Sequence, residues 1–324
     1  MKIVIVGYDK MFSNLILGTL DSKNKIVGVF RHERVAIHPW LLFFKDIFAP
    51  GKDLSFIKSF KLKKNDPNSL FSNTVLRITG NKKGKVYLLC TDGIAEFDLT
   101  TQRFKTLLQG NVDAIYYNEK LYIGKREEVF VYNESTGNFD LYYHLAGKDI
   151  TLSCLHLDDK KNLWMGTTGN GVYCLSENKT VSQPITKGNI TSIYEDSSKE
   201  LWIGSWEEGL YHITTDGNIK NLRHDPQNPN SLCSDFVRSC CEDNAGNLWI
   251  GTFYGLNRYD KSSGQFQVYT ADDSRPDGLT HSSIWCIVKD GQGTIWLGTY
   301  FGGVNYFNPE YEIYTRYKVG NTEK

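Results

Sequence analysis

A short apolar pentapeptide that recurs along the chain constrains its fold more than any other feature. Leu163-Trp164-Met165-Gly166-Thr167, Leu201-Trp202-Ile203-Gly204-Ser205, Leu248-Trp249-Ile250-Gly251-Thr252 and Ile295-Trp296-Leu297-Gly298-Thr299 are four near copies. Val86-Tyr87-Leu88-Leu89-Cys90-Thr91 and Leu121-Tyr122-Ile123-Gly124 are weaker ones. The aromatic positions 87, 122, 164, 202, 249 and 296 are separated by 35, 42, 38, 47 and 47 residues. A period near ~40–45 residues is that of a four-stranded propeller blade.

The residues within one period spell out four strands. From Phe236 to Glu242 the chain is mostly apolar, and Asp243-Asn244-Ala245-Gly246 is a tight turn in which Asp bonds nearby backbone and Gly accepts positive φ. Leu248 to Thr252 is a second strand, Leu256 to Asp260 a third and Phe266 to Tyr269 a fourth, parted by Phe253-Tyr254-Gly255 and Lys261-Ser262-Ser263-Gly264. The same turn grammar precedes Trp202 at Asp196, Trp296 at Asp290 and Tyr87 at Asn81. Long connectors repeat as well, Asn65-Asp66-Pro67-Asn68-Ser69-Leu70 against Asn228-Pro229-Asn230-Ser231-Leu232. The expected fold is therefore all-β, a propeller of about six or seven four-stranded blades over residues 56–324, preceded by a short N-terminal βαβ-like segment over residues 1–55. Phe56 to Phe60 reads as the fourth strand of a blade whose first three strands are missing, so the propeller is expected to be truncated at its start.

Charge and cysteine content exclude several function classes. Lys+Arg and Asp+Glu are both 37, so no global field draws the chain to nucleic acid or anionic lipid. The longest apolar run near the start, Trp40 to Phe44, is far short of the ~20 residues that span a bilayer, so no membrane segment is expected. The opening MKIVIVGYDK lacks the features of a secretory signal, which by itself predicts a cytoplasmic chain. Seven cysteines, with no C-x-x-C pair and no zinc-ligand spacing, are expected to act as small core residues rather than as disulfides or ligands.

The repeat Asp-x-x-Gly-x-Leu-Trp-Ile-Gly-Thr followed by Gly-Leu-x-x-Tyr-Asp resembles the two-component regulator propeller repeat over roughly residues 56 to 317. Tyr300-Phe301-Gly302-Gly303-Val304-Asn305-Tyr306-Phe307-Asn308-Pro309 is similar to the segment that closes the first propeller of such sensors. The Gly-His and Trp-Asp signature of WD40 repeats is absent. The resemblance implies the ligand-sensing region of a hybrid two-component system, placed in the periplasm and responsive to glycan fragments. A neighbouring sensor domain or a homodimer would then be its partner, with signalling completed by other domains.

The N-terminal residues follow a different pattern. Lys2 to Gly7 and Lys25 to Phe30 read as buried strands, and Met11 to Leu20 has helical spacing. Val29-Phe30-Arg31-His32-Glu33-Arg34 with Phe43-Phe44-Lys45-Asp46-Ile47-Phe48-Ala49-Pro50 resembles the start of formyltransferase-like proteins. The catalytic Asn, His and Asp of that family fall beyond this opening, so no activity follows. Gly7-Tyr8-Asp9 lacks the further glycines of a dinucleotide loop.

Function is expected where the turns between second and third strands meet the connectors between blades. That rim receives Trp206, Glu207 and Glu208, Phe253 and Tyr254, Tyr300 and Phe301, Thr168 and Asn170, with His224, Asp225, Arg275, Asp277 and His281 from connectors. Aromatic faces beside polar groups suit a sugar ring, and Trp206, Glu207, Tyr254, Arg258, Tyr300, Phe301 and His281 are the candidate ligand-binding residues. The alternative use of such aromatics is packing between blades. The repeated tryptophans are expected to be that packing, and the hairpin aspartates to serve their turns. No H-E-x-x-H or Gly-x-Ser-x-Gly motif occurs, so no catalytic residue, metal or cofactor is expected. A propeller lyase or hydrolase with a His–carboxylate site in its channel is the alternative.

Overall fold

The computed structural model describes residues 2–7, 16–20, 25–30, 58–60, 66–72, 74–80, 85–98, 100–146, 150–272, 274–275, 278–289, 293–300, 302–309 and 313–317. The described elements are all strands, in two compact units.

Unit 1 comprises Met1–Leu108, Ala271–His281 and Val288–Lys324. Its first sheet holds β1 (Lys2–Gly7), β2 (Ile16–Leu20), β3 (Lys25–Phe30) and β4 (Lys58–Phe60) in the order β2-β1-β3-β4. β1 pairs antiparallel with β2 and parallel with β3, and β3 pairs parallel with β4. Two corrections follow. Ile16–Leu20 is a strand where the spacing predicted a helix; Ile and Thr are stiff at χ1, and Gly18 in a helix interior would cost about 1 kcal/mol. Lys58–Phe60, expected to end a truncated blade, pairs parallel with β3, whereas blade strands pair antiparallel. The formyltransferase-like stretch 31–50 lies outside the described residues. The next sheet is blade one, β5 (Val75–Gly80), β6 (Lys85–Cys90), β7 (Gly93–Asp98) and β8 (Arg103–Gln109), in chain order.

Unit 2 comprises Gln109–Thr270 and Ser282–Ile287 and holds four successive blades. Blade two is β9 (Ala114–Asn118), β10 (Lys120–Lys125), β11 (Glu128–Asn133) and β12 (Asn138–His144); blade three is β13 (Leu152–Leu157), β14 (Leu163–Thr167) and β15 (Val172–Leu175). Blade four is β16 (Asn189–Glu195), β17 (Leu201–Trp206), β18 (Leu210–Ile213) and β19 (Ile219–Leu222); blade five is β20 (Val237–Glu242), β21 (Leu248–Thr252), β22 (Leu256–Asp260) and β23 (Gln265–Tyr269). Blade six is β24 (Ile284–Lys289), β25 (Ile295–Thr299), β26 (Val304–Asn308) and β27 (Ile313–Tyr317), whose last three strands belong to unit 1. The six blades are those the repeats predict, except that blade three has three strands. Its outer segment keeps a bridge from Leu175 to Val181, the bonds from Ser182 N–H to Cys174 C=O and from Ile185 N–H to Val172 C=O, and hydroxyls of Ser182 and Thr186 that accept the N–H of Cys174 and Val172. Pro184 has no N–H to offer a ladder.

Each letter of the pentapeptide has a physical role. The second strands are buried along their length. Their apolar residues build clusters that join one blade to the next, as Cys154, Trp164 and Val172 pack with Ile190, Leu201 and Ile203. Trp202 and Leu210 pack with Val237, Leu248 and Ile250 in the same way. The glycine lets the next blade approach: a Cβ on Gly166 would lie 2.8 Å from Ile190 Cγ2, on Gly204 2.8 Å from Val237 Cγ1, and on Gly251 2.7 Å from Ile284 Cγ2. The final Thr or Ser closes the following turn, its hydroxyl donating to the carbonyl of Gly171, Gly209, Gly255 or Gly303.

Candidate aromatic–arginine site at the connector rim

The tryptophans are fixed by the hairpin aspartates. Trp164, Trp202 and Trp249 each donate their indole N–H at 2.8 Å to Asp158, Asp196 and Asp243, six residues earlier. The other carboxylate oxygen accepts the backbone N–H of Asn162, Glu200 or Asn247 and so closes the hairpin. Asp290 lies outside the described residues. These aromatics are therefore scaffold, and their aspartates serve both turn and indole.

The connectors are tied down by buried amides. Asn257 and Asn305, both fully buried, accept the backbone N–H of Cys233 and Thr280 at 2.9 Å. In two connectors the repeated Asn-Ser-Leu segment ends on a buried leucine, Leu70 or Leu232, and a carbonyl two residues before it, of Asn68 or Asn230, accepts the N–H of Phe104 or Phe266. The rim at this end of unit 2 is thus built on anchored backbone.

On that rim aromatic rings gather from several blades. The ring centroid of Trp206, at the end of β17, lies 4.8 Å from Phe236 in the next connector and 6.1 Å from Phe253, in the turn after β21. Phe253 lies 5.0 Å from Tyr254, which is 58% exposed. At the centre is Arg238 of β20: its Cζ sits 3.8 Å from the ring centroid of Trp285, 4.6 Å from that of Trp206 and 5.7 Å from that of Phe253. Trp206, Phe236, Phe253, Arg238 and Trp285 are all half-buried, so the cluster is neither sealed core nor open surface.

Arg238 occupies a repeated irregularity. The first strands of blades three, four and five each shift register near their start, leaving Ser153, Thr191 and Arg238 as the inserted residues. Ser153 and Thr191 donate to the carbonyls of Ile190 and Val237 in the following blade, at 2.6 and 2.7 Å. In blade five the hydroxyl is replaced by a guanidinium.

Beside this cluster, Glu207 is exposed and has φ of +84°, in the region that favours glycine. Its counterpart in blade three is Gly169, at +90°. The Glu207 carbonyl accepts an N–H of Arg223 at 2.7 Å, and Arg223 also bonds Glu208 at 2.9 Å and Asp235 at 2.8 Å. The hydrogen bonds that Arg223 donates to the Asp235 carboxylate hold its guanidinium above its ordinary range. His224 takes part through its backbone N–H to Asp235 and its ring Nδ1, which donates to the Leu232 carbonyl.

Of the residues expected to bind ligand, Trp206, Glu207 and Tyr254 fall on this rim. Arg258 does not: its guanidinium bonds Asn247 at 3.2 Å, in the hairpin at the opposite end of β21. Tyr300 and His281 belong to unit 1, where a Cβ on Gly302 would meet that of His281 at 2.7 Å; Phe301 lies outside the described residues. Sequence reasoning missed Phe236, Arg238 and Trp285. A signal for Arg238 and Trp285 was present, since each replaces a small polar residue at the position of Ser153 and Thr191.

The hairpin end has different chemistry. A cavity of about 170 Å³ between blades three and four is lined by Asp158, Asp159, Glu195, Lys160 and Lys199, carrying both signs of charge. Next to it His156 is largely buried, with Nε2 3.8 Å from Glu195, too far for a hydrogen bond, and with Tyr116 edge-on to its ring. Burial lowers its pKa to about 4, and the same desolvation raises Glu195, so both are neutralised more readily than in water. His212 stacks on Trp202 at 3.8 Å and bonds Glu200 at 2.9 Å, which makes that pair part of the packing.

Comparison with known proteins agrees on fold. Residues 184–207, 231–254 and 278–301 match the two-component regulator propeller family. No curated protein sequence matches the chain. Among solved structures, streptogramin B lyase is similar with a TM-score of 0.60 and 17% identity, over 80% of this chain and 87% of that one. PorZ, a surface component of the type-IX secretion system of Porphyromonas gingivalis, has a TM-score of 0.60 and 12% identity over 79% of this chain and 43% of its own. The extracellular domain of a hybrid two-component system from Bacteroides thetaiotaomicron has a TM-score of 0.45 and 22% identity, over 79% of this chain and 41% of its own. The chain thus spans about two fifths of the length of the last two. At these identities the likeness is one of fold, and the same fold serves a lyase and a secretion component.

Proposed function

We propose that the chain is a ligand-recognition propeller of sensor type, not an enzyme, which binds a saccharide at the connector rim of unit 2. The observation that carries this reading is the half-exposed cluster of Trp206, Phe236, Phe253 and Tyr254. Aromatic faces bind the apolar C–H faces of sugar rings, and here they sit on anchored connectors rather than in a core. The family match supports a sensing role. Among the described residues the histidine–carboxylate ion pairs are His212–Glu200, His144–Glu128 and His156–Glu195, at 2.9, 3.7 and 3.8 Å; the first and last are largely buried at the hairpin end, the second is exposed in blade two, and none belongs to the aromatic cluster, which favours binding over catalysis there.

In this reading the propeller lies outside the cytoplasm, beside a further sensor domain or a second copy of itself. Ligand favours one arrangement of those partners over another, and the signal is the resulting population shift. The test is thermal unfolding against a panel of plant and host oligosaccharides. A ligand at a hundred times its Kd adds about 2.7 kcal/mol of stability. One glycan class should raise the transition, Trp206→Ala should abolish the rise, and the bound saccharide should be recovered unchanged. Turnover of the saccharide would establish an enzyme, and a flat response to every sugar would remove the saccharide reading.

A further inference from the structure

We propose that Arg238 is an oxyanion receptor, reading a carboxylate or sulfate on an acidic saccharide whose ring lies against the aromatics around it. The inference rests on the rim being the ligand site and adds the chemical class of ligand.

The inserted position of the first strand has a structural task in blades three and four, where the hydroxyls of Ser153 and Thr191 bond the next blade's backbone. A guanidinium is not required for that joint. The Arg238 Cζ instead lies over the indole rings of both Trp285 and Trp206, at 3.8 and 4.6 Å, so the cation is held against aromatic faces. Its hydrogen bonds then run in the guanidinium plane, along the edge whose paired N–H groups match the two oxygens of a carboxylate or sulfate. The half-buried setting strengthens that recognition, because a charge-assisted bond gains as water is excluded. Phe236, Phe253 and Tyr254 extend apolar faces beside the cation, so a ring bearing an anionic substituent meets both parts of the site. With a formal net charge of zero, the chain has no long-range field to gather anions. Selectivity for an acidic sugar therefore falls to this local guanidinium.

The test is calorimetric titration of the full chain with three matched galactose-based probes: trigalacturonate, sulfated neocarrabiose and neutral galactotriose. At least one acidic probe should bind tenfold or more tightly than galactotriose, and which of the two binds identifies the anion. Arg238→Gln should weaken that binding about tenfold or more. Arg238→Lys, which keeps the charge but loses the planar fork, should fall between the two and serves where the Gln variant does not fold. Unchanged affinity for the acidic probe in a folded Arg238→Gln variant overturns the proposal, as does failure of all three probes to bind. Galactotriose binding as well as the acidic probes also overturns it, while leaving the rim's recognition of saccharide intact.

Discussion

At the scale of single residues, Glu207 carries a cost that folding alone does not require. Its φ of +84° matches the +90° of Gly169 in the equivalent turn, so glycine is the unstrained choice there. Glu207→Gly should therefore hold stability level or raise it by about 1 kcal/mol, while weakening saccharide binding; a loss of stability in urea unfolding would show that the strain is compensated within the turn. His156 gives a pH signature. Asp158, Glu195, Lys199 and Tyr116 surround it, and burial holds its folded pKa near 4, against 6.5 when exposed. Unfolded chains take up the proton first, so stability present at neutral pH drains away as pH falls from 6.5 toward 4, on the order of 3 kcal/mol in all. His156→Gln should flatten that window in denaturation curves taken at pH 7 and pH 4.5. A curve that slopes as steeply in the variant would place the titrating group elsewhere.

At the scale of strands and turns, the pentapeptide glycine is a joint between blades. Gly251→Ala would press a Cβ to 2.7 Å from Ile284 Cγ2 and 3.2 Å from Ser239 Oγ, an overpacking worth about 1–3 kcal/mol. Gly217→Ala meets nothing within 4 Å and is disfavoured only by its φ of +85°, so it should be the milder change when the two are compared by thermal melting. These joints were legible in the sequence as a repeat, because period and pattern reflect contacts made within and between adjacent units. The strands Leu248–Thr252 and Leu256–Asp260 follow directly from their turn residues. Ile16–Leu20 did not, because a short apolar run satisfies helical and strand patterns alike and its partner strand decides. Nor did the aromatic–arginine cluster, since Trp206, Arg238 and Trp285 lie 32 and 47 residues apart along the chain and meet only when blades pack. Arg258 misled for the same reason: adjacent to the rim in sequence, it points along the strand to Asn247.

At the scale of the molecule, the main packing within unit 2 runs between successive sheets, β9 and β10 on β13, β13 and β14 on β16, β16 and β17 on β20. Such an array behaves nearly as a one-dimensional chain, its stability a sum of blade and interface contributions. An ionic strap across one interface is Lys261 of blade five, whose Nζ bonds Asp196 of blade four at 2.7 Å and Glu242 at 2.8 Å. Burial pushes both carboxyls up, but the Lys261 ammonium, with hydrogen bonds from Trp202 and Glu200 to Asp196 and from Ser197 to Glu242, outweighs it and holds them below the ordinary range. The Asp196 side chain is wholly buried, so removing the cation strands a charge that already serves the Trp202 indole. Lys261→Met should therefore cost about 3–5 kcal/mol, far more than an exposed ion pair would. In a nearest-neighbour array that loss falls on one interface, so the blades on either side should uncouple. Urea unfolding of the variant, followed by tryptophan fluorescence and by far-ultraviolet circular dichroism, should give non-coincident transitions and a lowered m-value where the parent chain gives one. A single coincident transition with an unchanged m-value in Lys261→Met would mean that coupling between blades four and five rests on the apolar contacts of Trp202, Val237 and Ile250, with the ionic strap adding stability but not cooperativity.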